Sequence, residues 1–137
     1  MTAFPSRLSE RHALVVLRVV VAGLIVIHGV ARIALGGVDD FGGVLDLVGF
    51  PAGAAVAWTI TLVEIGGGVV LALGYFVRPL CAYFVVQLVA GIALVHFPEG
   101  WFVVGSGRNG MEYSVLLIVV FAVLGWANTD RRKEQRN

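Results

Sequence analysis

A single carboxylate, Glu64, lies inside a long apolar stretch of the chain. No other charged residue occurs between Phe50 and Arg78. An apolar segment of this length is typical of a membrane span, and a carboxylate within a span is costly unless it is paired or protonated. Neither snorkelling nor helix capping is available to a side chain near the middle of a span. Glu64 is therefore the first candidate for a residue that does chemistry.

Three glycines follow Glu64 in the segment Glu64-Ile65-Gly66-Gly67-Gly68. Glycine lowers helix propensity, so three in a row indicate a backbone that another helix approaches closely. Glu64, Gly67 and Gly68 share one helix face because they are three and four residues apart. This face is expected to point into a helix bundle and not towards lipid.

Five more ionisable side chains lie within or at the ends of apolar segments: Arg18, His28, Arg32, His96 and Glu112. At about 1.5 Å of rise per residue, all of them except Arg18 are expected in the same outer half of the membrane as Glu64. Groups of both signs at one depth suit a hydrogen-bonded network. We predict Glu64 and His28 as catalytic, proton-transferring residues and the other four as ligand-binding residues.

Several of these side chains also have structural interpretations. Arg18 can snorkel to the cytoplasmic head groups. Glu112 stands in the first turn of its helix, where the helix dipole favours a carboxylate, and His96 can be merely interfacial. Helical side chains lean towards the N-terminus of their own helix. Because the first two spans run in opposite directions, this lean favours His28 or Arg32 over Arg18 as the partner of Glu64.

Composition limits the class of protein. The 137 residues are 58% hydrophobic and 14% charged, and the mean hydropathy is +0.90. The length favours one domain over residues 1–137. The lone Cys81 excludes the paired-cysteine thiol oxidoreductases, no metal site is predicted, and no basic patch within a folded segment indicates nucleic-acid binding.

Four apolar segments, at about residues 13–35, 53–73, 79–97 and 111–127, are close to the roughly 20 residues that a bilayer needs. They predict an all-α integral membrane four-helix bundle. The apolar residues among the aspartates of the first loop predict a short helix lying in the interface, at about residues 41–48. Basic residues at the N-terminus, at Arg78 and in Arg131-Arg132-Lys133 place both termini in the cytoplasm by the positive-inside rule.

Several motifs occur in order along the chain. His28-Gly29-Val30-Ala31-Arg32 is similar to a His-Gly-x-x-Lys pattern, with Arg32 in the place of lysine. Glu64-Ile65-Gly66-Gly67-Gly68, continued by Leu73-Gly74 and Arg78, is similar to Glu-x-x-Gly-Gly…Leu-Gly-x-x-x-Arg. A third pattern starts at His96, has Glu99 in the place of asparagine, and ends in Glu112-Tyr113. Over most of its length the chain thus resembles the DoxX family of four-span bacterial membrane proteins.

The resemblance implies a multi-pass protein of the bacterial inner membrane that is associated with redox chemistry. Members of the family are linked to thiosulfate:quinone oxidoreduction and to membrane complexes that answer oxidative stress. The implied ligand is a quinone, and the implied partners are a redox protein or further copies of the chain, besides the lipid bilayer. No tightly bound cofactor is expected, and haem is not expected although His28 and His96 are at comparable depth.

Two other functions compete with this one. In the first, the chain is a non-catalytic membrane scaffold or cargo-binding protein whose buried polar groups only fix helix packing. In the second, it carries a small molecule or protons along a path open to water.

Overall fold

The computed structural model describes residues 9–105 and 107–134, and all regular structure in these ranges is helical. The helices are α1 (Glu10–Ala34), α2 (Gly37–Leu47), α3 (Gly53–Ala72), α4 (Val77–Gly91) and α5 (Glu112–Glu134), and a π-helical turn, Ile92–His96, continues α4. Three helical segments, Glu10–Ala34, Gly53–Ala72 and Val77–His96, are long and apolar enough to cross a membrane, and α5 adds the shorter apolar stretch Glu112–Asn128. The all-α membrane bundle is confirmed, and the chain is a multi-pass membrane protein.

The helices differ from the predicted segments mainly at their ends. The short helix predicted at about residues 41–48 is present as α2, which begins at Gly37 and ends at Leu47. The apolar stretch of the fourth helix, Glu112–Asn128, agrees with the predicted span. The helix itself continues to Glu134, because Arg131, Arg132 and Lys133 are good helix formers and no glycine or proline interrupts the tail. The π-helical turn at the end of α4 was not predicted. Residues 1–8, which hold part of the predicted basic N-terminus, lie outside the described residues.

The long helices form two pairs. α1 packs along α3, α4 packs along α5, and α2 packs on α3, whereas α3 and α4 contact each other over few residues. Within the second pair, the rings of Phe84 and Phe121 stack with centroids 5.1 Å apart. The pairs meet at a buried core to which all four long helices contribute, formed by Val21, Ala22, Ile25, Leu71, Val77, Cys81, Phe84, Leu117, Phe121 and Leu124.

The core occupies one end of the bundle. Leu71 lies near the end of α3, Val77 and Cys81 near the start of α4, and Leu124 in the second half of α5. At the opposite end a separate small cluster, Val38, Leu45 and Ala57, joins α2 to α3. The two helix pairs are therefore packed together at the end near the α3–α4 turn, and the other end is free to hold a cavity.

The α3–α4 turn requires a glycine at position 74. Gly74 has a φ of +89°, a conformation that other residues adopt only with strain. A Cβ atom there would also lie 3.0 Å from Nη2 of Arg18. Pro79 is the third residue of α4, within the first turn as predicted, where its missing N–H leaves no hydrogen bond unmade.

The orientation of the bundle is a prediction that labelling can check. Asp40 on α2 is exposed, and Tyr75 in the α3–α4 turn is 65% exposed. In a Cys81→Ser background, we expect Asp40→Cys to react with an impermeant maleimide added outside the cell. Tyr75→Cys should react only after the membrane is permeabilised. Labelling of Asp40→Cys from the cytoplasmic side alone would show that the topology is inverted.

Candidate functional site

Glu64 is buried, with 2% of its surface exposed, and both of its carboxylate oxygens accept hydrogen bonds. Arg32 donates from Nη1 to Oε2 at 2.7 Å and from Nη2 to Oε1 at 3.4 Å. Gln87 donates from Nε2 to Oε1 at 2.5 Å. Of the two partners predicted for Glu64, the structure shows Arg32. Glu64 therefore joins three helices, because Arg32 lies on α1 and Gln87 on α4.

Two glycines bring α1 and α3 close enough for the ion pair. A Cβ atom on Gly29 would lie 2.9 Å from Cγ1 of Ile65 and 3.2 Å from the carbonyl oxygen of Thr61. A Cβ atom on Gly68 would lie 2.6 Å from Cγ2 of Val26. Small residues at these positions permit the backbones to approach. The prediction that the face of Glu64 and Gly68 points into the bundle is confirmed.

Two further residues hold the guanidinium of Arg32. Nη1 also donates to Oγ1 of Thr61 at 2.9 Å, and that hydroxyl donates to the carbonyl oxygen of Ala57 at 2.8 Å. The guanidinium carbon lies 4.7 Å from the centroid of the Phe41 ring, a distance suited to a cation–π contact. Arg32 is thus fixed by an ion pair, a hydroxyl and an aromatic face.

The sequence analysis did not assign Thr61, Gln87 or Phe41 to the site. Gln87 is a lone amide within an apolar span, and a polar group inside a membrane generally has a partner. Thr61 precedes Glu64 by three residues and so shares its face. These two signals are visible in the sequence, whereas the contact with Phe41 depends on how α2 folds back.

A cavity of about 570 Å³ lies beside this cluster, between the two helix pairs. Its walls are largely apolar, with contributions from all five helices, the π-helical turn and the segment that precedes α5. The polar side chains that line it are His28, Arg32, Glu64, Tyr83, Gln87, His96, Asn109, Tyr113 and Ser114. An apolar cavity with a few convergent polar groups is the usual form of a small-molecule site.

The two histidines of the cavity differ in their surroundings. The imidazole of His96 lies with Nδ1 2.8 Å from the carbonyl oxygen of Asn109. His28 is exposed and lines the cavity, so its ring can reach a bound molecule. Four of the six predicted site residues therefore border one cavity: His28, Arg32, Glu64 and His96.

The other two predicted ligand-binding residues are placed elsewhere. Arg18 lies near the end of α3, where Nη2 is 3.5 Å from the carbonyl oxygen of Ala72. Oε1 of Glu112 accepts a hydrogen bond from the backbone N–H of Val103 at 2.9 Å. Neither lines the cavity, so the structure does not group them with the other four. The structural interpretation of Glu112 fits this geometry, because its carboxylate holds the segment before α5.

The prediction that the protein holds no tightly bound haem can be checked directly. His28 and His96 border the same cavity, and a bis-histidine haem needs two such imidazoles. Within the described ranges, no group of three or more His, Cys, Asp or Glu side chains could hold a metal ion. We expect the purified protein to show no Soret absorbance. A Soret band that disappears in His28→Ala would contradict this and assign the histidines as axial ligands.

Comparison with known proteins places the chain in a family. The family model for DoxX matches residues 13–97, more than half of the chain. The match runs from α1 through the π-helical turn and includes Arg32, Glu64 and Gln87. Searches of curated proteins and of solved structures returned no match. The chain belongs to the DoxX family.

Proposed function

We propose that this protein is a membrane subunit that binds a quinone in the cavity between its helix pairs and takes part in quinone-linked redox chemistry. The observation that supports this most is the combination of an apolar cavity of about 570 Å³ with one polar cluster, Arg32, Glu64 and Gln87, in its wall. The resemblance to redox-associated DoxX proteins gives independent support. The bacterial inner membrane is the proposed location.

The cavity residues fit the chemistry of a quinone ring. The ring is flat with apolar faces, and the two carbonyl oxygens at its edge accept hydrogen bonds. The volume lies within the range of roughly 300–1,000 Å³ that is usual for small-molecule sites. Arg32 is a fixed donor at the cavity wall, and His28 presents an exposed ring that can donate to a carbonyl or exchange a proton.

The residues of the site take different parts in this proposal. A bound quinone would supply a two-electron, two-proton acceptor. His28 is the candidate for moving protons, because it reaches the cavity and an imidazole can both donate and accept a proton. Glu64 is engaged on both oxygens by Arg32 and Gln87, so the geometry gives it the part of positioning those two donors. The electrons would come from a partner redox protein.

Quinone content after purification tests the proposal. We expect an organic extract of the protein, purified in mild detergent from bacterial membranes, to contain quinone near one molecule per chain. The quinone should be identified by ultraviolet absorbance and mass spectrometry. Arg32→Gln should lose most of it, whereas Arg78→Gln, which changes an exposed arginine in the first turn of α4, should retain it. Equal quinone content in both variants, or none in the wild type, would contradict the proposal.

A non-catalytic scaffold or cargo-binding protein is the second candidate function. It is favoured by the hydrogen bonds that Arg32 makes to Glu64 and Thr61. In a purely structural cluster the polar groups would be paired with one another in the same way. This candidate predicts that no quinone is retained and that a protein partner or a second copy co-purifies even when Arg32 is replaced by glutamine.

A further inference from the structure

The cavity has a side opening that is lined by apolar residues of α4. Val86 and Ala90 of α4 line the cavity, yet Val86 is 68% exposed and Ala90 is also exposed. Side chains that are exposed and also line a cavity mark its rim. In a membrane protein, exposed apolar residues in the middle of a span face lipid. The cavity therefore reaches the bilayer along this edge of α4.

The position of the opening follows from how α4 packs. Phe84 stacks on Phe121 of α5, and Gln87 bonds to Glu64 of α3. At about 100° per residue, Val86 and Ala90 lie beyond Gln87 as seen from Phe84. They are thus on the α3 side of α4, away from α5. Across the gap, α3 lines the cavity with the apolar side chains of Val56 and Ile60.

The gap exists because α3 and α4 separate as they leave their turn. Near the turn they touch, since a Cβ atom on Gly67 would lie 3.2 Å from Cδ2 of Leu80 and 3.5 Å from Cζ of Phe84. Over their whole length the two helices contact each other at few positions, and the hydrogen bond between Gln87 and Glu64 crosses between them. The opening is therefore a wedge with an apolar rim and a polar cluster at its inner side.

The ends and sides of the cavity differ in polarity. Phe41 and Leu45 of α2, with Val103 of the segment before α5, line the end of the cavity away from the core. Where α1 and α5 border the cavity, the exposed lining side chains are Leu24, His28 and Tyr113, of which the last two are polar. A molecule with a polar head and an apolar tail would satisfy both sides, with its head at the polar groups and its tail between α3 and α4.

We infer that the ligand of this cavity is a lipid-borne quinone with a long hydrocarbon tail, which enters from the bilayer and leaves its tail between α3 and α4. This rests on the proposed function and adds the ligand's route of entry and the position of its tail. A water-soluble ligand would gain nothing from contact with an apolar rim within the membrane. A hydrocarbon tail that passes from the bilayer to the apolar rim needs no polar partner. The quinone head, in contrast, needs the hydrogen-bond donors of the cluster.

Bulky substitutions at the rim distinguish the contribution of the tail to binding from that of the head. The probes are 2,3-dimethoxy-5-methyl-1,4-benzoquinone, which has no tail, and the same ring with a decyl tail. Binding to protein in lipid nanodiscs is followed by quenching of the intrinsic tryptophan fluorescence. We expect Val86→Phe combined with Ala90→Phe to weaken binding of the decyl probe about tenfold, equivalent to about 1.4 kcal/mol. Binding of the tailless probe should change by less than about twofold.

A matched control lies on the same helix. Val89 is 51% exposed and does not line the cavity, so Val89→Phe should leave binding of both probes unchanged. If the rim variant weakens both probes equally, or neither, the tail does not lie between α3 and α4 and the inference is overturned. If the wild type binds neither probe, the proposed function itself fails. These outcomes are distinct.

Discussion

Replacing Arg32 by alanine is expected to lower the free energy of unfolding by about 3–5 kcal/mol, the range observed when one partner of a buried ion pair is removed. Glu64 is 2% exposed and would retain only the hydrogen bond from Gln87. Proton uptake by Glu64 could recover part of the loss. Reversible unfolding in mixed detergent, followed by circular dichroism, provides the measurement.

A double-mutant cycle identifies the partner of Glu64. We expect Glu64→Gln and Arg32→Ala to be coupled by about 2 kcal/mol or more, since the two side chains are in direct contact. Glu64→Gln with His28→Ala should couple weakly, because no hydrogen bond joins His28 to Glu64 among the contacts described. Arg18→Ala serves as the matched arginine control on α1. Strong coupling to Arg18 alone, or to none of the three, would disprove the network.

Gly68→Ala is the second substitution with a large expected effect. Its new Cβ atom would lie 2.6 Å from Cγ2 of Val26 and 3.2 Å from the backbone oxygen of Ala22. The side chain of Val26 can turn, but the backbone of α1 can only move away. Overpacking of this kind costs about 1–3 kcal/mol, and a shift of α1 would also lengthen the bond from Arg32 to Glu64.

Gly66→Ala is the matched control, two residues away on the same helix. Apart from its chain neighbours and the backbone of its own helix, no atom lies within 4 Å of a Cβ atom placed on Gly66. Alanine should therefore be neutral there, or should stabilise α3 by about 0.5–1 kcal/mol through its higher helix propensity. Thermal unfolding of the two variants compares them directly. Equal stability of Gly68→Ala and Gly66→Ala would show that α1 does not pack on this face of α3.

Most of the fold could be predicted from the sequence, because a bilayer permits few kinds of backbone structure. Apolar segments near 20 residues must form helices, since every backbone polar group has to be satisfied within the segment. The short stretch after α1 was recognisable from its apolar residues among the loop aspartates, and it is α2. The π-helical turn at Ile92–His96 was not, because it depends on a local shift in hydrogen bonding that no residue type specifies.

The sequence predicted the ion pair of the candidate site but not the shape of its cavity. The lean of helical side chains towards their own N-termini selected Arg32 or His28 over Arg18, and the structure shows Arg32 bonded to Glu64. The cavity depends on how far α3 and α4 separate, which periodicity within one helix does not reveal. Similar depth also failed to group Glu112 with the cluster, because its carboxylate turns to the backbone of Val103.

Photolabelling with an azido-quinone tests most directly whether the cavity binds a quinone. The protein is illuminated with the probe in nanodiscs, and the modified residues are located by mass spectrometry. We expect adducts to concentrate at positions that line the cavity, such as His28 and Arg32 on α1 and Tyr83, Gln87 and His96 on α4 and its π-helical turn. An excess of unmodified quinone should suppress them, as should Arg32→Gln. Adducts spread over lipid-facing positions such as Val119, which is 55% exposed, and insensitive to competitor would contradict a quinone site between the helix pairs.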